Sequence, residues 1–129
     1  MSTAAAIIAA VAARGSNPHD LRDAAHEACH GIELALPEWD RESVHYALMD
    51  VRPGDRVAME CRARAVEQIV CARLGVATAP IETWAFLTSM EALKNRMDVP
   101  IDVIVEGTRK RLDCPQTLAL AERILALEF

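Results

Sequence analysis

The sequence predicts a mainly α protein, a compact single-domain helical bundle of about six to seven helices spanning residues 1–129. Three observations carry this. Apolar residues recur at i, i+3, i+4 and i+7 over most of the chain, Pro and Gly fall at helix-length intervals, and period-two alternation is nowhere convincing. The core is expected to be aliphatic and small, because 52% of residues are hydrophobic while aromatics supply only 4%. A chain of 129 residues can bury such a core as one unit. No repeat, low-complexity linker or shift in composition marks a second domain.

The first helix runs from about Thr3 to Ala13 and stops at Arg14-Gly15-Ser16. Its apolar stretch superficially resembles a signal sequence. No Lys or Arg precedes it, however, and it is too short to span a bilayer, so the expectation is a soluble, cytoplasmic protein without a membrane partner. A second helix opens at Asn17 as cap and Pro18 at the first turn, with Asp20 complementing the helix dipole, and runs to about Leu36. Asp40 caps a third, in which Val44, Ala47, Leu48 and Val51 share a face before Arg52-Pro53-Gly54 ends it. Asp55 opens a long helix to about Leu74, closed by Gly75. The fifth spans about Ile81 to Arg96 and is expected to bury Trp84, Leu87 and Leu93. In the sixth, near Ile101 to Leu112, Ile101, Ile104, Val105 and Leu112 share one side. Val99 to Val105 is β-branched enough to form one short strand or hairpin instead. Pro115 begins the last helix, with Leu118, Ala121, Ile124 and Leu125 facing inward.

The formal net charge of −5 argues against general nucleic-acid binding. That charge leaves room for local basic patches around Arg62, Arg64 and Arg73 and at Arg109-Lys110-Arg111, the latter read as a solvated helix end. The four cysteines Cys29, Cys61, Cys71 and Cys114 show no C-x-x-C spacing and are read as reduced thiols.

His26-Glu27-Ala28-Cys29-His30 matches H-E-x-x-H. Two histidines four residues apart on a helix can present both imidazoles to one Zn2+, and the intervening glutamate can take a proton from a zinc-bound water. On a helical wheel Leu21, Ala24, Ala25, Ala28 and Ile32 form an apolar stripe. His19, Asp23, His26, His30 and Glu33 share a second face, which is either a ligand face or simply a solvated one. Cys29 faces the apolar stripe as a core residue, and Trp39 and Trp84 are read as core anchors. His45, on the third helix, is a further histidine within conceivable reach.

A third protein ligand is required. Glu60 and Glu67 lie one heptad apart on the long helix. Glu67 borders its apolar face beside Ala63, Val70 and Leu74, where a carboxylate needs a cation or hydrogen-bond partner. Glu67 is therefore the preferred ligand and Glu60 the second choice. The competing reading makes both of them exposed glutamates paired with Arg64. The metal-site core then covers about 17–75 and the C-terminal helices 80–129.

The segments "LRDAAHEACHGIELAL" and "ECRARAVEQIVCARLGV" resemble the ImmA/IrrE metallopeptidase-like family, and small gluzincin-type proteins of bacteria, phages and mobile elements. The resemblance covers about Leu21 to Leu74. It implies zinc on His26 and His30, Glu27 as general base and a ligand glutamate on the later helix. That family places its ligand glutamate just before an Ala-Asn pair. Aligning Ala63-Arg64 with the pair puts Arg62 at the ligand position, so the site draws on Glu67 or Glu60, or is degenerate. Such peptidases also hold substrate as a strand added to a sheet edge, and no clear strand exists here.

The expected function is a small zinc-dependent metallopeptidase-like hydrolase acting on a protein or peptide partner. Self-association is a further option. The alternatives are a non-catalytic helical interaction or regulatory protein of phage or mobile-element origin, such as an inhibitor of a host system, or a zinc ion serving only as a structural staple.

Overall fold

The computed structural model describes residues 2–35, 55–94, 96 and 98–129. Among them are six helices: α1 (Thr3–Ala12), α2 (Leu21–Ala35), α3 (Asp55–Arg73), α4 (Ile81–Lys94), α5 (Ile101–Arg111) and α6 (Pro115–Leu125). No strand occurs among the described residues. The bundle expected from the sequence is therefore the fold observed. The helix expected between Asp40 and Val51, with His45 and the neighbouring Trp39, lies outside the described residues.

Local chemistry accounts for most helix ends. Ser2 caps α1, its hydroxyl accepting from the Ala5 N–H at 3.1 Å. α2 begins later than Asn17 and Pro18 suggest. Asp20 is its cap, taking the Asp23 N–H on Oδ1 at 3.0 Å while its carbonyl receives the Ala24 N–H. α3 ends as Gly75 adopts φ +71°, a conformation that favours glycine, and the Val76 N–H returns to the Cys71 carbonyl at 2.8 Å. Pro100 sits at the N-cap of α5, and residues 101–105 are helical, so the strand option at Val99 to Val105 is not taken.

α3 runs through the middle. It packs on α2 and α6 along one flank and on α5 along the other, while α1 covers α2 and α4 covers α5. The larger core cluster joins Ile7 and Val11 of α1, the expected α2 stripe, Ala63, Val66 and Val70 of α3, and Leu120, Ala121 and Ile124 of α6. The smaller one is Cys61, Ala85 and Ile104, with Val57, Trp84, Val99 and Val105 against it. At Gly107 of α5 an added Cβ would stand 3.1 Å from Cys61 Sγ, so the absent side chain is what lets α5 lie this close to α3.

Several side chains differ from expectation. Leu87 and Leu93 are 61% and 54% exposed. The cause is that α4 turns its small residues inward: Ala85 is fully buried, and Ser89 Oγ donates to the Val99 carbonyl at 2.7 Å. Ile101 and Leu118 also stand at the surface rather than inside. Of the basic run, Arg109 and Lys110 are exposed, but Arg111 is buried and donates to the Gly107 carbonyl. None of the four cysteines is in a disulfide.

Candidate metal centre

The α2 wheel places His26 and His30 one turn apart, and the apolar stripe beside them fixes which way they face. Ala24, Ala25, Ala28 and Cys29 are all buried in the larger core, so the two imidazoles are turned towards α3. The rings meet edge to face, 4.9 Å between centroids. Glu60 of α3 reaches both: its Oε2 lies 3.1 Å from His26 Nε2 and its Oε1 2.9 Å from His30 Nε2. One ligand atom from each of His26, His30 and Glu60 falls within 4.8 Å of the others.

Glu67 lies on the other side of the His26 ring. Its Oε1 is 3.3 Å from His26 Nδ1, and its Oε2 accepts from Arg64 NH1. The sequence-preferred ligand thus engages a cation and a ring nitrogen, while the second choice, Glu60, joins the two histidines. Both carboxylates were expected to touch Arg64 if they were merely surface groups. Only Glu67 pairs with it, and that pair is buried.

Arg62 and Arg64, where the sequence left room for a basic patch, are both buried. Arg62 is fully buried and pairs with Glu33 of α2 through Nε to Oε1 at 2.5 Å and NH2 to Oε2 at 2.9 Å. This bidentate pair locks α2 to α3 one turn beyond the histidines, and it removes Glu33 from the ligand face. The Cys29 thiol also donates to Glu33 Oε1. Burial and then the Glu33 charge push that thiol well above its ordinary pKa, which makes it a core group and not a nucleophile. Arg64 holds Glu67, donates through NH2 to the Ala79 carbonyl at 2.9 Å, and lies 5.4 Å over the Trp84 ring. Arg22 ties the same connection from α2, donating through Nε to the Ala77 carbonyl at 2.6 Å.

Beside these groups opens a cleft of about 330 Å³. His26, Glu60 and Glu67 line it, with Glu27 exposed at its edge and Trp84 and Thr88 of α4 forming the far wall. His19, expected on the ligand face, precedes α2; it is exposed, and its backbone N–H donates to Asp23 Oδ2. Reading the sequence missed Arg64 and Trp84 as cleft residues. Arg64 was visible only as a partner three residues before Glu67, and nothing local signals that α4 supplies the facing wall.

The electrostatics are those of a cation-binding group of atoms. Burial disfavours a charged His26, but hydrogen bonds and the charges of Glu60 and Glu67 outweigh it and raise its pKa to about 9. Burial likewise opposes ionised Glu60, but His26 and His30 outweigh it and hold its pKa at about 2. Near neutrality His26 Nε2–H and Nδ1–H therefore donate to the two carboxylates. A divalent cation would replace the proton on Nε2. Tetrahedral zinc with bonds of about 2.0–2.1 Å sets its ligand atoms roughly 3.3 Å apart. The 2.9 and 3.1 Å contacts run from different oxygens of Glu60, and one ligand atom from each of the three residues lies within 4.8 Å of the others, so the group could hold a metal ion after small side-chain shifts.

Comparison with known proteins returned no matching family model, no matching curated protein and no matching solved structure.

Proposed function

We propose that this protein is a small zinc-dependent hydrolase of the metallopeptidase-like type, with His26, His30 and Glu60 as the metal ligands and Glu27 as general base. The observation that carries the reading is the convergence of both Nε2 atoms on one carboxylate, beside an open cleft that the motif glutamate borders. Bound there, zinc would supply Lewis acidity for a polarised carbonyl and lower the pKa of water. Glu27 is exposed where it borders the cleft, the position a general base would need. Trp84 and Thr88 offer an apolar and a hydroxyl contact for substrate in the cleft that His26 also lines.

The likeness to ImmA/IrrE-type proteins extends the proposal to a cytoplasmic protein of bacterial, phage or mobile-element origin whose target is a regulatory protein. No helix among the described residues is long and apolar enough to cross a membrane, which is compatible with that setting.

A second reading has its own support. Phe86, Leu87, Met90 and Leu93 expose an apolar face on α4, as an interaction protein would. Two measurements separate the readings. Purified protein should carry about one zinc per chain and lose it in His26→Ala and Glu60→Gln. Glu27→Gln should retain zinc and lose hydrolysis of a quenched-fluorescence peptide library. A wild-type protein without zinc, unchanged in melting temperature by chelator, favours the interaction protein.

A further inference from the structure

Glu67 is a buried carboxylate both of whose oxygens are already engaged. Oε1 faces His26 Nδ1 at 3.3 Å, and Oε2 accepts from Arg64, whose guanidinium is itself buried, bonded to the Ala79 carbonyl and set over Trp84. Drawing Glu67 onto a metal would strand that guanidinium, which already has a buried Nε without a hydrogen-bond partner. The opposite nitrogen of the same His26 ring faces Glu60 and the ligand group.

We propose that Glu67 is the positioning residue of the metal centre: by accepting the Nδ1–H of His26 it fixes the ring and keeps Nε2 as the metal-facing nitrogen. This rests on the metal reading given above. A carboxylate behind a ligating imidazole sets its tautomer and orientation and raises its basicity. Arg64, Ala79 and Trp84 extend the support to the α3–α4 connection, so the centre is braced by a segment that contributes no ligand to it.

The test uses Zn2+ and Co2+ alone on the full chain. Glu67→Gln should lower Zn2+ affinity by about 10–100-fold in competition with a chromophoric chelator. Its Co2+ visible bands should keep their positions, because the ligand set is unchanged. If affinity falls to the His26→Ala level and the Co2+ bands move, Glu67 is a ligand and the proposal is overturned. An affinity within about threefold of wild type, with only the metal-free melting temperature reduced, makes Glu67 purely structural and also overturns it. Should Glu67→Gln fail to fold, Arg64→Met combined with Glu67→Gln removes the stranded cation, and the same two readouts apply. A wild-type chain that takes up neither ion sinks the metal reading itself, a result distinct from the other two because no variant is involved.

Discussion

α3 is flanked by two regions of different construction. Towards α2 it buries charge: Arg62 with Glu33 and Arg64 with Glu67 lie inside, and Glu60 with the two histidines lies at the margin. Alanines between these groups bring the helices together. Towards α4 and α5 the contact is a small apolar cluster around Ile104 with Trp84 against it, the ion pair Arg109–Glu82 is exposed, and Phe86, Leu87, Met90 and Leu93 of α4 point outward. Buried pairs are costly to leave half-made and so enforce one arrangement, whereas exposed pairs contribute little. The His26, His30 and Glu60 group that could hold a metal ion lies on the side where mispairing is most heavily penalised.

The largest effect should come from breaking that side. Arg62→Ala leaves Glu33 buried and unpaired, and urea unfolding should show a loss of about 3–5 kcal/mol. The joint change of Arg62→Met and Glu33→Leu should recover most of it, because both charges then go together. A small loss in the single variant would mean that the two regions do not differ as described.

Metal sharpens the comparison next. Zinc at about 100 times its dissociation constant should raise stability by about 2.7 kcal/mol, measured as a zinc-dependent melting temperature. His26→Ala should abolish that dependence.

Whether the site was legible in the sequence turns on distance along the chain. The histidine pair and its neighbouring glutamate were readable because i, i+4 spacing on one helix is local geometry. The buried stripe from Leu21 to Ile32 was readable for the same reason. Glu60 against Glu67 was not: both occupy one face of α3, about 10.5 Å apart along its axis, and only the register of α2 on α3 chooses between them. Arg62 read as a surface basic because its partner Glu33 lies on another helix, and Arg64 because the Ala79 carbonyl and Trp84 that cover it lie outside α3, although its ion-pair partner Glu67 is three residues on in the same helix. Leu87 and Leu93 failed for the complementary reason. A helical period shows that a face is apolar, while Ala85 and Ser89 show that the smaller face was the one used.

pH offers a subtler probe of the α2 side. His26 is raised from 6.5 to about 9, so its contribution to the metal-free fold is complete below 6.5 and lost as pH rises through about 9. Glu60 is lowered from 4.5 to about 2, so its contribution is present above 4.5 and lost as pH falls through about 2. The melting temperature of metal-free protein should therefore peak between 4.5 and 6.5. Zinc affinity should instead climb towards pH 9, with proton release on binding, because the ion displaces the His26 proton. His26→Gln should flatten the alkaline limb of the stability profile.

The smallest effects belong to the other side. Removing the exposed Arg109–Glu82 pair through Glu82→Gln should change stability by about 0–1 kcal/mol. Leu87→Ser and Leu93→Ser should each stay within about 0.5 kcal/mol in urea unfolding, as expected of side chains already in water. A cost of several kcal/mol at either leucine would show that the α4 face is covered in solution.

The chain by itself determined the six described helices, most of their ends and the one-turn histidine pair, since capping, helical period and neighbouring spacing act within a few residues. Tertiary structure alone decided which carboxylate meets the histidines, which arginines are buried and which face of α4 is left outside. Those outcomes depend on how one helix slides and turns against another, and that register is set by buried pairs and close-packed alanines contributed by distant parts of the sequence.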